Sequence, residues 1–197
     1  MDLLIRISDG LDRVLTRAGR IAAWAGVCLV AVTIFDVITR RFLVLGSTKL
    51  QEAEWHFHVI LFALCLAYAY MKDTHVRIDL FRDRLPARAQ WWIELAGCLL
   101  FLLPYCALVV YFSVDFAAKS FAQNEISSSA TGLTHRWIIK SFIPVGFGLL
   151  ALAGIAVLLR KIVELFGTAA QRQRVAGTEE AEAEHLDEVP VGREGPG

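Results

Sequence analysis

The sequence has the pattern of an all-α integral membrane protein with four transmembrane helices. The first observation behind this is bulk composition: 56% of the residues are hydrophobic and the mean hydropathy is +0.50. The second is charge placement. Charged residues make up 20% of the chain, below the roughly 25% of an average soluble domain, and they gather in short clusters between long apolar runs. Lipid imposes that segregation, because charge is costly in hydrocarbon and is confined to loops that meet water. The third is length. Each apolar run has roughly twenty residues, and as a helix it reaches about 30 Å, the thickness of a bilayer's hydrocarbon core.

The first run, Ile21 to Val44, is longer than the apolar stretch of a cleaved signal peptide, which has about 7–15 residues. It also runs on to Asp36, Arg40 and Arg41. The second run spans Ala53 to Met71, the third Trp91 to Phe112 and the fourth Trp137 to Leu159. Trp24, Trp55, Trp91, Trp92 and Trp137 all lie near run ends, where an indole sits at headgroup level. Pro86 is expected to open the third helix, a position where its missing N–H costs little. Pro104 and Pro144 interrupt the third and fourth runs. Each removes a backbone hydrogen bond and is expected to kink its helix, either shaping the bundle around a partner or making an ordinary packing bend.

Outside the runs the chain divides into residues 1–20, a membrane domain over 21–167 and a tail over 168–197. In the first twenty residues Leu3, Leu4, Ile7, Leu11, Val14 and Leu15 fall at spacings of three and four among arginines. Two readings are open: an amphipathic helix on the membrane surface, or an extension of the first span. The segment Lys72 to Arg88 mixes charges of both signs with Val76, Ile78, Leu80, Phe81 and Leu85, as an interfacial segment does. Ser113 to Arg136 is expected to be a polar loop built on turn residues. The tail crowds seven acids into a stretch poor in large apolar residues and is expected to be disordered.

Lysines and arginines set the orientation. One side carries Arg6, Arg13, Arg17, Arg20, Lys72, Arg77, Arg82, Arg84, Arg88, Arg160, Lys161, Arg172 and Arg174. The other carries Arg40, Arg41, Lys49, Lys119, Arg136 and Lys140. The first set, thirteen against six, places both termini in the cytoplasm. The net charge is zero, and no nucleic-acid partner is expected.

No phosphate-binding, dinucleotide-binding, serine-hydrolase or zinc-protease motif is present, so no enzyme is expected. Cys28, Cys65, Cys98 and Cys106 each lie inside an apolar run, as small packed residues and not as a disulfide framework. His56 and His58 are two residues apart, hence about 200° apart on a helix, and His75 and His135 lie in loops on opposite sides. Paired axial haem ligands come from facing helices at similar depth, and no cofactor or metal is expected. Four acids lie in or near the runs: Asp36, Glu52, Glu54 and Glu94. Asp36 is placed to pair with Arg40 one turn on. Glu52 and Glu54 are functional suspects by position, or acids favoured by a helix N-terminus. Spans two and four hold no acid at mid-depth, so the chain alone is a poor ion carrier.

Arg40-Arg41-Phe42, then Glu52-Ala53-Glu54-Trp55, then His75-Val76-Arg77-Ile78-Asp79 after a hydrophobic span, resemble the small permease (Q) subunit of TRAP (tripartite ATP-independent periplasmic) transporters. Thr131-Gly132-Leu133, Trp137-Ile138 and Ile143-Pro144-Val145-Gly146-Phe147 are similar to that family's closing segment. The resemblance covers roughly residues 8–165. It implies a bacterial inner-membrane subunit that braces a large permease (M) subunit, a separate chain carrying the substrate and sodium sites. A periplasmic solute-binding (P) protein would deliver an organic acid anion. The residues expected at a partner interface are Arg40, Glu52, Glu54, His75, Arg77, Asp79, Gly132, Trp137 and Pro144. As an extended strand, the segment after span two would turn Arg77 and Asp79 to one face and Val76 and Ile78 to the other. The rival readings are a cytochrome b-like membrane anchor of a respiratory enzyme and a small autonomous exporter.

Overall fold

The computed structural model describes residues 2–42, 47–72, 85–169, 171, 173 and 177. It contains helices α1 (Asp2–Phe42), α2 (Thr48–Met71), α3 (Ala87–Gly97), α4 (Leu103–Ala122) and α5 (Trp137–Phe166), with a π-helical turn at Cys98–Leu102 joining α3 to α4. Among the described residues, four stretches are long and apolar enough to cross a membrane: α1, α2, residues Ala89–Ala122 and α5. The protein is thus an all-helical, four-span membrane protein.

α1 is one unbroken helix of 41 residues, about 62 Å long. The N-terminal stretch therefore continues the first span. Its buried face differs from the one that the large apolar residues suggest. Ser8, Asp12, Leu15, Ala18 and Ala22 face inward, while Leu3, Ile7 and Val14 are exposed. Small side chains are the reason: they let neighbouring backbones approach closely, the main route to helix association in lipid.

The same logic organises the bundle. α5 is the central helix, packed against α1, α2 and α4, and α1 and α2 also pair. The core is built from Leu15, Ala67, Met71, Cys106, Leu150 and Ala153, continued by Ala18, Ala22 and Leu64. A side chain on Gly146 would come within 2.8 Å of the Ala63 backbone, so this glycine allows α2 and α5 to approach closely here. Large apolar residues such as Val30, Ile34, Leu100, Phe101 and Leu108 point outward, as lipid or a membrane partner requires.

One sequence expectation changes: Ser113 to Ala122 are helical and continue α4, where a polar loop was expected from Ser113 onward. Ser113 bonds its hydroxyl back to the Val110 carbonyl at 3.2 Å, and Asp115 pairs with Lys119 at 2.6 Å one turn on. The polar loop shrinks to residues 123–136. Pro86 stands just before α3, with its carbonyl accepting from the Ala89 and Gln90 amides at 2.8 and 3.2 Å. Pro104 is preceded by the π-helical turn, in which the Leu103 amide reaches back to the Cys98 carbonyl. Because proline has no N–H to donate, a widened turn removes the clash with the previous turn. Pro144 lies within a continuous α5.

Candidate functional site

Two polar centres lie at opposite ends of the bundle. At the end away from the termini, the loop of residues 123–136 is folded back on itself. The Ser127 amide donates to the Leu133 carbonyl at 3.2 Å and the Arg136 amide to the Glu125 carbonyl at 3.1 Å. A tight turn between them is closed by the Gly132 amide on the Ser129 carbonyl at 3.1 Å. Two non-glycine residues in the left-handed region, Asn124 (φ 46°) and His135 (φ 62°), mark where the loop leaves α4 and enters α5. Asn adopts that conformation readily at a helix C-terminus; His135 holds it at a cost of about 1–3 kcal/mol.

Glu52 of α2 anchors this loop. Its carboxylate is buried and accepts the Ser127 hydroxyl on one oxygen. The other oxygen accepts the Leu133 amide at 2.5 Å. Thr131 adds a hydroxyl contact to Thr48 at 3.2 Å. Gly132 packs so closely that an added Cβ would stand 2.6 Å from a Glu52 carboxylate oxygen and also collide with Ser127. His56 turns Nδ1 to the Glu52 carbonyl at 2.6 Å, which calls for the proton on Nδ1. Beside this centre Lys140 is paired with Glu125 and sits 3.9 Å from the Phe116 ring centroid. The Lys140 ammonium holds the Glu125 carboxyl below the ordinary carboxylate range.

The opposite end carries a second centre. Arg160 of α5 forms an ion pair with Asp12 of α1. Its Nε also donates to the Ser8 hydroxyl at 3.2 Å, and that hydroxyl points to the Ala156 carbonyl at 3.4 Å. All three side chains are buried. The next buried acid of α1, Asp36, is 24 positions further on, about 36 Å of helix. The buried residues in that interval are Leu15, Ala18, Ala22 and Ala25. Along α1, the buried charges are therefore at the ends and the middle is apolar.

Of the residues singled out in the sequence, the structure brings Glu52 and Gly132 together. Arg40 pairs with Asp36 at 2.5 Å, the one-turn pair that the spacing predicts. Glu52 and Glu54 are the fifth and seventh residues of α2, past the first turn, so the helix N-terminus does not account for them. Glu54 is half-buried and points away from the Glu52 socket, about 200° around the helix. Trp137 starts α5 and packs edge-on against Phe121, centroids 5.1 Å apart. Pro144 is half-buried in α5. His75, Arg77 and Asp79, and most of the tail, lie outside the described residues.

Ser8, Asp12, Ser127 and Arg160 were not singled out by sequence reasoning. Asp12 gave a signal: it shares a helix face with Ser8 and Leu15, a face continued by Ala18 and Ala22. Among the described residues, no group of three His, Cys, Asp or Glu side chains could hold a metal ion. The four cysteines are free.

The four spans, with polar groups tying loops and helix ends together, define the class: an all-helical integral membrane protein. Comparison with protein families gives the particular family. Residues 29–164 match the family described as tripartite ATP-independent periplasmic transporters, DctQ component. The chain belongs to this family, and is the small subunit of such a transporter. No curated protein sequence matches it at a significant level.

Proposed function

We propose that this small subunit braces a large permease subunit during sodium-coupled uptake of an organic acid, delivered by a periplasmic solute-binding protein. The observation that carries this reading is the placement of buried charge. Asp12 with Arg160 lies at one end and Glu52 at the other, and the packed centre consists of Leu, Ala, Met and Cys. Charged residues that move ions line a route through the bundle interior. Here they pin the bundle's ends, as a static support requires. The thirteen-to-six basic asymmetry supports cytoplasmic termini. The loop held by Glu52 then faces the periplasm, where the binding protein resides.

Reconstitution into liposomes with an inward sodium gradient tests the reading. The subunit alone should give no uptake of an organic acid, and uptake should appear when the large permease and binding protein are added. Uptake by the single subunit would overturn it, as would full transport by the other two components without it. A haem Soret band in the purified protein would favour the respiratory-anchor alternative.

A further inference from the structure

The basic residues at the N-terminal end of α1 form a pattern that the Asp12–Arg160 centre does not use. Arg6, Arg13, Arg17 and Arg20 are all exposed. At about 100° per residue they fall within roughly 60° of one another around the helix, in a stripe about 21 Å long. Among the described residues, Arg6, Arg17 and Arg20 have no acid partner, and Arg13 donates only to the Asp9 carbonyl one turn back, at 3.2 Å. Asp2 (exposed) and Asp9 (half-buried) lie on or beside the same face, so the four guanidinium groups leave an excess of two positive charges, turned away from the bundle, as an anion-binding surface.

We propose that this stripe is the docking surface for the chain's own acidic C-terminal segment, residues 178–197. That segment contains Glu179, Glu180, Glu182, Glu184, Asp187, Glu188 and Glu194 against one arginine, Arg193. With an even number of spans, both termini emerge on the same side of the membrane. The exit point is also right: α5 is fastened to α1 through Arg160 and Asp12. A little further on, the Gln171 side chain donates to Asp2 at 3.0 Å. Gln171, seven residues before the segment, is thus beside the first turn of α1, and twenty residues reach up to about 66 Å, ample to follow the stripe. A tether this short gives an effective concentration in the millimolar range, which compensates for the weakness of each exposed ion pair.

The geometry favours the tail over anionic lipid headgroups. α1 is continuous and pinned to α5, so the stripe runs along the helix axis away from the span. The headgroup layer is only about 5–8 Å deep on each side, and Arg6 stands about 21 Å further along than Arg20.

Photo-crosslinking in the full-length chain tests the assignment. Benzoylphenylalanine replaces Ile7, which is exposed beside the stripe, and the protein is placed in phosphatidylcholine nanodiscs. Mass spectrometry should find cross-links to residues 178–197. Their yield should fall several-fold when Arg6, Arg13, Arg17 and Arg20 are changed to Gln, when the tail glutamates are changed to Gln, or when salt screens the charges. Adding phosphatidylglycerol should leave the yield largely intact. Absence of tail cross-links, or yields indifferent to both sets of substitutions, would overturn the proposal. Loss of the cross-links on adding phosphatidylglycerol would assign the stripe to lipid and overturn it as well.

Discussion

The two ends of the bundle bury a carboxylate in different ways. Glu52 is met by neutral donors, a hydroxyl and a backbone amide, both from one short loop. Asp12 is met by a full positive charge on the far end of the chain, at a separation of 148 residues. A backbone amide is fixed in place, so the Glu52 centre dictates the shape of the loop around it. A guanidinium on a long side chain can reach but does not shape. The Asp12 centre dictates instead which turn of α1 lies against which turn of α5. One end specifies a surface and the other specifies a register.

The largest effect should come from breaking the register. Arg160→Ala leaves the Asp12 carboxylate buried without its guanidinium and should cost about 3–5 kcal/mol; Asp12→Ala, which removes the ion pair between α1 and α5, should cost no more than that. Replacing both by apolar residues of similar volume should recover most of that. Unfolding in mixed detergent micelles checks both statements, and a double replacement as damaging as the single ones would show that the charges are needed for more than packing.

Gly132→Ala should come next. Its methyl group would fall 2.6 Å from a Glu52 oxygen, and overpacking of this kind costs about 1–3 kcal/mol. The damage should be confined to the loop end: protection from hydrogen exchange should disappear at the Leu133 and Ser127 amides, while the α1–α5 contact is unchanged. Glu52→Gln should act at the same amides but more mildly. The neutral side chain keeps an acceptor oxygen for one of the two donors and loses the charge that strengthens both bonds. If Glu52→Gln were to loosen the Asp12 end as much as its own, the two ends would be a single cooperative unit and the comparison would fail.

The smallest effect is one of pH. The Glu125 carboxyl has its pKa lowered by Lys140 relative to the ordinary value of 4.5. A group lowered in the folded state stabilises it above its unfolded pKa, and that contribution is lost as pH falls through the folded value. The loop should therefore be equally protected at pH 7 and pH 6, and should loosen only as acidification proceeds below about 4.5. Lys140→Gln should shift that loosening to higher pH. Exchange at the Arg136 amide, which bonds the Glu125 carbonyl, reads it directly.

How much of this the sequence disclosed depends on distance along the chain. The spans were legible because a bilayer has a fixed thickness and apolar runs can be counted. The Asp36–Arg40 pair was legible because one helical turn brings residues four apart together. Glu52 and Gly132 were both marked, but nothing in a one-dimensional reading joins them, since the loop that does so bonds across 75 and 81 residues. The helical continuation over residues 113–122 was hidden because Ser113, Asp115 and Lys119 read as loop polarity; in place, the serine bonds back within its helix and the charges pair along its surface. The buried face of α1 was hidden because attention to large apolar residues selects the side that faces outward. In a membrane bundle the informative signal is the run of small residues.

The separation between Asp12 and Arg160 also has a temporal side. Asp12 is among the first residues made, and its partner follows 148 residues later. At about 5–20 residues per second, some 7 to 30 seconds of synthesis pass in which an acid stands on the inward face of α1 with no cation to meet. Any chain truncated before α5 is complete keeps that mismatch permanently. The ion pair is thus a built-in test of completeness, closing only when the last helix has been delivered.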